Sequence, residues 1–379
     1  LFYSRRVGRP PQGEVNGSAD YVDAPTSTTI LGAAKLTGRT AGGLQVGVLD
    51  AVTRAATAEA VSPAGATFDE EIEPLTNYFV GRVSQTLRDG NLTIGGIGTS
   101  VRRRFDSDAL RESLPSSAFA LGTDWSLFWS NRTYNFMGNL AYTQVDGATS
   151  AIERLQRAPQ RYFARPDRQH GRNRRVWSDA FDGSSRTLRG MGGYGRLAKT
   201  AGNLLWETQV NWRSPGFEAN DLAFLTRADY VYMLGNLLHR WTTPNSVFRR
   251  ADLTLGAQQQ YNFDGDLTDR QVHMFAGMQS ANYMWMSVYS QYRPEVFDDR
   301  LTRGGPVVRR AASWGVFPFF ETDSRKVLSF SIEPGYSGNA EGASGWNRFI
   351  SWPPPVYTCS VARRSALAGA PSLRASYTR

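Results

Sequence analysis

The stretch FALGTDWSLFWSNRTYNFMGNLAYT, residues 119–143, decides the fold class. Before its central Ser130-Asn131-Arg132, nearly every second residue is apolar or aromatic, and the residues between them are mostly small or polar. The same alternation resumes after Arg132. Because a β-strand places successive side chains on opposite faces, the pattern predicts two antiparallel strands joined by a tight turn, with one apolar face common to both.

Similar pairs of alternating segments recur along the chain, and most of them flank a short turn. Asp89-Gly90, in one such turn, is a favoured hairpin dipeptide. The pattern predicts about 14–16 strands, most of them about 9–13 residues long. Outside residues 119–143, the predicted strands are 29–39, 44–53, 77–87, 92–101, 188–199, 204–212, 230–241, 253–263, 272–280, 283–292, 314–321, 327–333 and 346–352.

Strand length separates two classes of β-protein. Strands of about ten residues cross a bilayer when tilted, whereas soluble sandwiches favour about five or six residues. Long polar segments alternate with short turns, as in outer-membrane barrels; they lie at 56–73, 147–186, 217–227 and 294–307. Trp and Tyr fall near strand ends, which suits a membrane interface as well as a sandwich core. We therefore predict an all-β fold, an antiparallel transmembrane β-barrel that is incomplete, with a soluble β-sandwich adhesin as an alternative.

The amino-acid composition is compatible with an outer-membrane β-barrel but does not by itself predict one. The net charge of +9 comes almost wholly from Arg, because the only lysines are Lys35, Lys199 and Lys326. The arginines cluster in predicted turns and loops instead of on a helix face, so we predict no binding of nucleic acid. Cys359 is the single cysteine, which excludes a disulfide framework and a multi-cysteine metal site.

Both ends of the sequence depart from a complete barrel. The chain begins at Leu1 without the pattern of a signal peptide, so we expect an N-terminally truncated protein. From Pro353 the alternation gives way to a Pro-Pro-Pro run and a segment rich in Ala, Ser and Arg that ends at Arg379. We predict that residues 1–352 form the barrel domain and that 353–379 are a divergent tail, out of frame or disordered.

No motif predicts a cofactor or metal site. Gly190, Gly192 and Gly195 have the spacing of a dinucleotide fingerprint, but they lie inside a predicted strand and not between a strand and a helix. Glycines in such a strand are expected to make room for bulky neighbours. The three histidines, His170, His239 and His273, lack the spacing of metal ligands. The acidic turns at Asp264, Asp266 and Asp323 lack the further ligands of a calcium-binding loop.

Carboxylates in the predicted loops are the only candidates for catalysis. A glycosidase needs two that face each other, and nothing in the sequence selects such a pair. The candidates are Glu218 with Asp221, Asp298 with Asp299, and Asp69 with Glu70 and Glu71. We expect them to bind loop backbone or to offset loop arginines, so no catalytic, cofactor-binding or metal residue is predicted.

Five ordered segments resemble one bacterial family: LFYSRRVGR (1–9), TTILGAAKLTGRT (28–40), EPLTNYFVGRV (73–83), SPGFEANDLAF (214–224) and DDRLTRGGP (298–306). This is the uncharacterised domain that follows a family 9 carbohydrate-binding-like domain in large Gram-negative proteins. The resemblance implies an outer-membrane barrel with some likeness to TonB-dependent receptor barrels. It implies no established reaction, and no functional residue is carried over from it.

These observations together lead to one functional expectation and two alternatives. We expect a non-enzymatic protein of the bacterial outer membrane, linked to carbohydrate binding or uptake through a missing N-terminal domain. Its expected partners are outer-membrane lipid, lipopolysaccharide and, through that domain, a glycan. The alternatives are a polysaccharide-acting hydrolase with loop carboxylates and the soluble adhesin.

Overall fold

A computed structural model describes residues 6–15, 18–168, 177–326 and 329–340. The predicted strand 346–352, the tail 353–379, His170 and Cys359 lie outside these residues. The strands are β1 Tyr21–Asp23, β2 Ile30–Arg39, β3 Leu44–Thr53, β4 Ala56–Val61, β5 Thr67–Glu73, β6 Leu75–Leu87, β7 Leu92–Arg104, β8 Ser117–Trp129, β9 Tyr134–Asp146, β10 Thr187–Lys199, β11 Leu204–Arg213, β12 Tyr230–Trp241, β13 Phe248–Tyr261, β14 Leu267–Ser280, β15 Trp285–Arg293, β16 Val296–Asp298, β17 Val308–Arg310, β18 Ser313–Glu321, β19 Ser331–Ile332 and β20 Tyr336–Asn339. Two short helices accompany them, α1 Asp108–Ser113 and α2 Thr149–Arg157.

One antiparallel sheet contains most of these strands. Its order is β19-β18-β15-β14-β13-β12-β11-β10-β9-β8-β7-β6-β3-β2, and β20 also pairs with β18. Sheet neighbours are thus mostly chain neighbours, which is the meander that repeated hairpins produce. Over the described residues, β2 at one end of the sheet pairs only with β3. The all-β, antiparallel prediction is confirmed.

Most predicted strands form within a few residues of their predicted bounds, and the differences have physical reasons. The segment 56–73, expected as a polar connection, forms β4 and β5; β4 pairs with β1 on one side and with β5 on the other, in a separate small sheet. Its Ala and acidic residues have weak β propensity, so pairing and not residue preference produces these strands. The expected loops 147–186 and 294–307 contain α2 and β16, and the described part of the predicted strand 327–333, residues 329–333, contributes β19 alone.

The connections differ in length at the two ends of the sheet. At one end, the short-turn end, turns of about four to six residues follow β2, β6, β8, β10, β12 and β14. The turn at Asp89-Gly90 is four residues long, because Leu87 pairs with Leu92. At the other end, the long-loop end, all connections within the sheet are long except residues 262–266 between β13 and β14.

The two faces of the sheet differ sharply in chemistry. One face, the apolar face, carries large hydrophobic side chains that are exposed on strand after strand: Phe79, Val83, Leu121, Phe136, Leu140, Val210, Leu237, Leu255, Val272 and Val316. The alternate residues of the same strands form the polar face, which carries ion pairs and hydrogen-bonded amides. The alternation expected from residues 119–143 therefore extends across the whole sheet.

A connection between β11 and β12, residues 214–229, covers part of the polar face; we call it the inner segment. Leu222 packs against Tyr78 and Val101, while Phe217 packs against Ala141. The segment also makes ion pairs with distant elements: Asp221 with Arg103 of β7, and Arg227 with Asp299 in the connection that follows β15. Because β7 and β15 lie far apart in the sheet order, the sheet curves around this segment.

Candidate functional site

A cavity of about 490 Å³ lies between the polar face and the inner segment. This volume is in the range of sites for small organic ligands. Its wall on the sheet side comes from strands β6 to β11 and combines the apolar Ile97 and Ala141 with the polar side chains of Arg82, Asp124, Asn139, Tyr194, Asn211 and Arg213. Its opposite wall comes from the inner segment and is apolar, with Phe217, Ala219, Ala223, Phe224 and Leu225. The cavity therefore offers a wall with polar groups, the polar wall, and an apolar wall to the same molecule.

An ion pair between Arg82 and Asp124 neutralises part of the polar wall. Two guanidinium nitrogens donate to the two carboxylate oxygens at 2.5 and 2.9 Å, across the intervening strand β7. A Cβ at Gly95, on that strand, would come within 2.8 Å of both side chains. Glycine at this position thus leaves the space in which the pair forms.

Arg213 supplies a positive charge that no carboxylate of the described residues offsets by an ion pair. Its guanidinium lies 5.9 Å from the ring centre of Phe217 and 5.7 Å from that of Tyr230. One of its nitrogens donates to the Arg227 carbonyl oxygen at 3.3 Å. Cation–π contacts and this hydrogen bond hold the cation in place, and most of its N–H donors have no partner among the described residues.

Buried ion pairs fix the inner segment over the cavity. Arg161 donates to Glu218 at 2.6 Å, and their side chains are 0% and 4% exposed. Arg161 also donates to the carbonyl oxygens of Leu155, Pro215 and Phe217. Arg161 thus makes four hydrogen bonds inside the protein, one of them to a carboxylate that offsets its charge, and these bonds hold the segment in place.

A second buried pair joins the segment to the end of β7. Burial alone would raise the pKa of Asp221, but the positive charges of Arg103 and Arg9 outweigh burial and lower that pKa. Asp221 therefore stays ionised between the two arginines. A third pair, Arg168 with Asp229 at 2.8 Å, holds the far end of the segment.

The glycines at 190, 192 and 195 divide into two structural roles. A Cβ at Gly190 would lie 2.1 Å from the Phe217 nitrogen, and one at Gly192 would lie 3.2 Å from the Phe217 ring. Gly195 faces open space. Two of the three glycines thus admit the inner segment to the polar face, as the expectation of close neighbours implied. All three lie within β10, which pairs antiparallel with β9 and β11.

The histidines within the described residues belong to different faces. His273 contacts Asn236 Oδ1 at 3.1 Å, and Asn236 and Arg196 both donate to Glu207. This polar row runs across the sheet between β10 and β14. His239 instead packs edge-on against Trp241, with ring centres 4.3 Å apart. No cluster of three or more metal-ligating side chains occurs in the part of the chain that the structure describes.

The candidate carboxylates outside residues 69–71 are engaged by arginine or backbone, and Asp69, Glu70 and Glu71 lie within strand β5. Glu218 and Asp221 pair with different arginines. Asp298 accepts from the backbone nitrogens of Arg300 and Leu301, and Asp299 binds Arg227. In the acidic turn after β13, Asp264 pairs with Arg165 at 2.7 Å. These carboxylates fit the expectation that they offset loop arginines or bind loop backbone.

The sequence did not single out Arg213 or Arg161. Both are arginines in a chain rich in them. Glu218, the partner of Arg161, is 57 residues away, whereas Arg213 is held by the inner segment and by Tyr230, whose arrangement depends on the fold. The sequence does offer one signal near Arg213: Ser214-Pro215-Gly216 follows the end of a predicted strand. These residues mark a sharp change in the direction of the chain.

Comparison with known proteins adds the family. No helix within the described residues is both long and apolar enough to cross a membrane. Among curated proteins, none matches the sequence. A family described as a domain of unknown function, DUF5916, matches residues 1–352. The chain therefore belongs to the DUF5916 family.

Proposed function

We propose that this chain is the membrane-spanning part of a non-enzymatic protein of the bacterial outer membrane. In this proposal the sheet closes into a β-barrel, its apolar face meets lipid and its polar face lines the interior. The exposed apolar face carries the proposal. Monomeric soluble proteins rarely expose contiguous apolar patches larger than a few hundred Å², whereas a lipid-facing barrel requires such a band.

Aromatic side chains on the apolar face support the same assignment. Near the short-turn end, Trp129 stacks on Tyr134 with ring centres 5.5 Å apart, and Tyr134 lies 6.3 Å from Trp206. Near the long-loop end, Trp314 lies 5.0 Å from Tyr336. Two groups of Trp and Tyr at opposite strand ends are the arrangement expected of interfacial girdles.

Closure follows from the proposed environment. A strand edge in hydrocarbon would leave its N–H and C=O groups without partners, at a cost of several kcal/mol for each group. In the proposal, the edge of β2 therefore pairs with another strand in the membrane. The strands β6 to β10, with 13 residues each, are long enough to cross the bilayer when tilted.

Two neighbouring residues of β6 provide the test. Val83 lies on the apolar face and is 50% exposed, while Ser84 lies on the polar face. Facing lipid, Val83→Arg should cost about 2–4 kcal/mol of folding free energy near the bilayer midplane. In water the same change at an exposed site should cost no more than about 0.5 kcal/mol. Ser84→Arg, the matched control, should leave the folding free energy nearly unchanged.

The measurement is urea-dependent folding into lipid vesicles, followed by gel migration of unheated and heated samples. A folded barrel should migrate differently before and after heating. The proposal is wrong if the protein remains in solution without detergent and Val83→Arg has no more effect than Ser84→Arg. The link to carbohydrate stays a prediction of the family resemblance, and binding of a neutral disaccharide to the folded protein would test it.

A further inference from the structure

The charges that line the cavity do not cancel. Of its three charged side chains, Arg82 and Asp124 neutralise each other through two hydrogen bonds. Arg213 is left as a net positive charge on the polar wall. It lies at the end of β11, where the chain turns into the inner segment.

Arg213 is also held in one orientation before any ligand arrives. Phe217 and Tyr230 flank its guanidinium, and the Arg227 carbonyl fixes one nitrogen. A planar guanidinium with free donors matches the two oxygens of a carboxylate, and a fixed one loses less conformational entropy on binding. The Arg213 guanidinium would therefore recognise a carboxylate by its geometry as well as by its charge.

The opposite wall determines what the rest of the ligand must be. Phe217, Ala223, Phe224 and Leu225 present apolar surface to the cavity, and Phe224 is 72% exposed. Covering this surface with an apolar group removes it from water, which favours binding in proportion to the apolar area covered. On the sheet side, Asn139 and Asn211 add amide groups next to Arg213.

We propose that this cavity binds an organic carboxylate with an apolar body. The carboxylate pairs with Arg213, and the apolar body packs against the inner segment. The proposal goes beyond a role as a membrane barrel and does not depend on it, because the cavity exists on the concave side of the sheet in either solvent.

The experiment is equilibrium dialysis of the folded protein with 2-naphthoate and with its uncharged analogue, 2-naphthamide. The two probes have the same apolar body, so the ratio of their dissociation constants isolates the carboxylate. The wild-type protein should bind 2-naphthoate at least about tenfold more tightly. Arg213→Gln should reduce this ratio to nearly one while leaving the affinity for 2-naphthamide unchanged.

Arg293→Gln is the matched control. Arg293 is another polar-face arginine without an ion pair among the described residues, it donates to Gln271, and it lies outside the cavity. It should retain the wild-type ratio. The proposal is overturned if Arg213→Gln keeps the preference for 2-naphthoate, or if Arg293→Gln loses it equally. It is also overturned if a neutral disaccharide binds and 2-naphthoate does not. The vesicle-folding test of the proposed function is a separate measurement, and its failure would not affect the result of this binding experiment.

Discussion

Replacing Gly190 by alanine should displace the inner segment from the polar face. The added Cβ would lie 2.1 Å from the nitrogen and 2.2 Å from the Cα of Phe217. Carbon atoms pack at about 3.5–4.0 Å, so the segment would have to move by more than about 1 Å. The added Cβ would contact backbone atoms of Phe217, and these cannot rotate away as side-chain atoms can. Overpacking of this kind costs about 1–3 kcal/mol, and we expect the upper part of that range.

Gly195→Ala is the matched control, because Gly195 lies on the same strand and its Cβ would meet nothing within 4 Å. Alanine should be neutral there or stabilise the strand by a few tenths of a kcal/mol. The assay is urea unfolding followed by tryptophan fluorescence, with hydrogen exchange at the Glu218 amide, which donates to Thr143 at 3.1 Å. Gly190→Ala should lower the midpoint and accelerate this exchange. Equal unfolding and exchange in the two variants would refute the close approach.

Two further predictions concern ion pairs of the loops. Arg161→Met should destabilise the fold by about 3–5 kcal/mol in the same urea assay, because Glu218 stays buried without its partner. Arg157→Met, which breaks an exposed pair with Glu153, should cost less than about 1 kcal/mol; equal effects would contradict the assigned burial. Burial raises the pKa of Asp264 to about 6 despite nearby Arg168. The folded state therefore binds its proton more tightly than the unfolded state, and the free energy of unfolding should fall as pH rises from about 4 to 6. Asp264→Asn should reduce this slope, and an unchanged slope would contradict the assignment.

The sequence predicted the strands well where one face is apolar throughout. Residues 119–143 fall within β8 and β9, and their turn at 130–133 has positive φ at Ser130, Asn131 and Arg132. Period-two alternation carries this information locally, so no distant contact is needed to find it. The strands β4 and β5 of the small sheet were missed because most of their residues, alanine and acidic residues, are weak strand formers.

The cavity could not be predicted in the same way. Residues 217–227 were expected as one of several polar connections, yet Phe217, Leu222 and Leu225 pack against the polar face. The residues that they contact on the polar face lie on other strands, many of them 70 or more positions away in the chain. No local sequence pattern specifies such contacts. The glycines 190 and 192 were noticed for their spacing, but their role depends on Phe217.

The strand order has a consequence for how the protein assembles. The hairpins β6-β7, β8-β9, β10-β11, β12-β13 and β14-β15 close between residues that are near in sequence, so the entropy lost in closing each of these short turns is small. The bonds of Arg6 to the Ala223 carbonyl and of Arg9 to the Asn220 carbonyl instead close loops of more than 200 residues. We infer that hairpins form in succession first and that the contacts across the interior form last, which places the completed cavity at the end of the folding pathway.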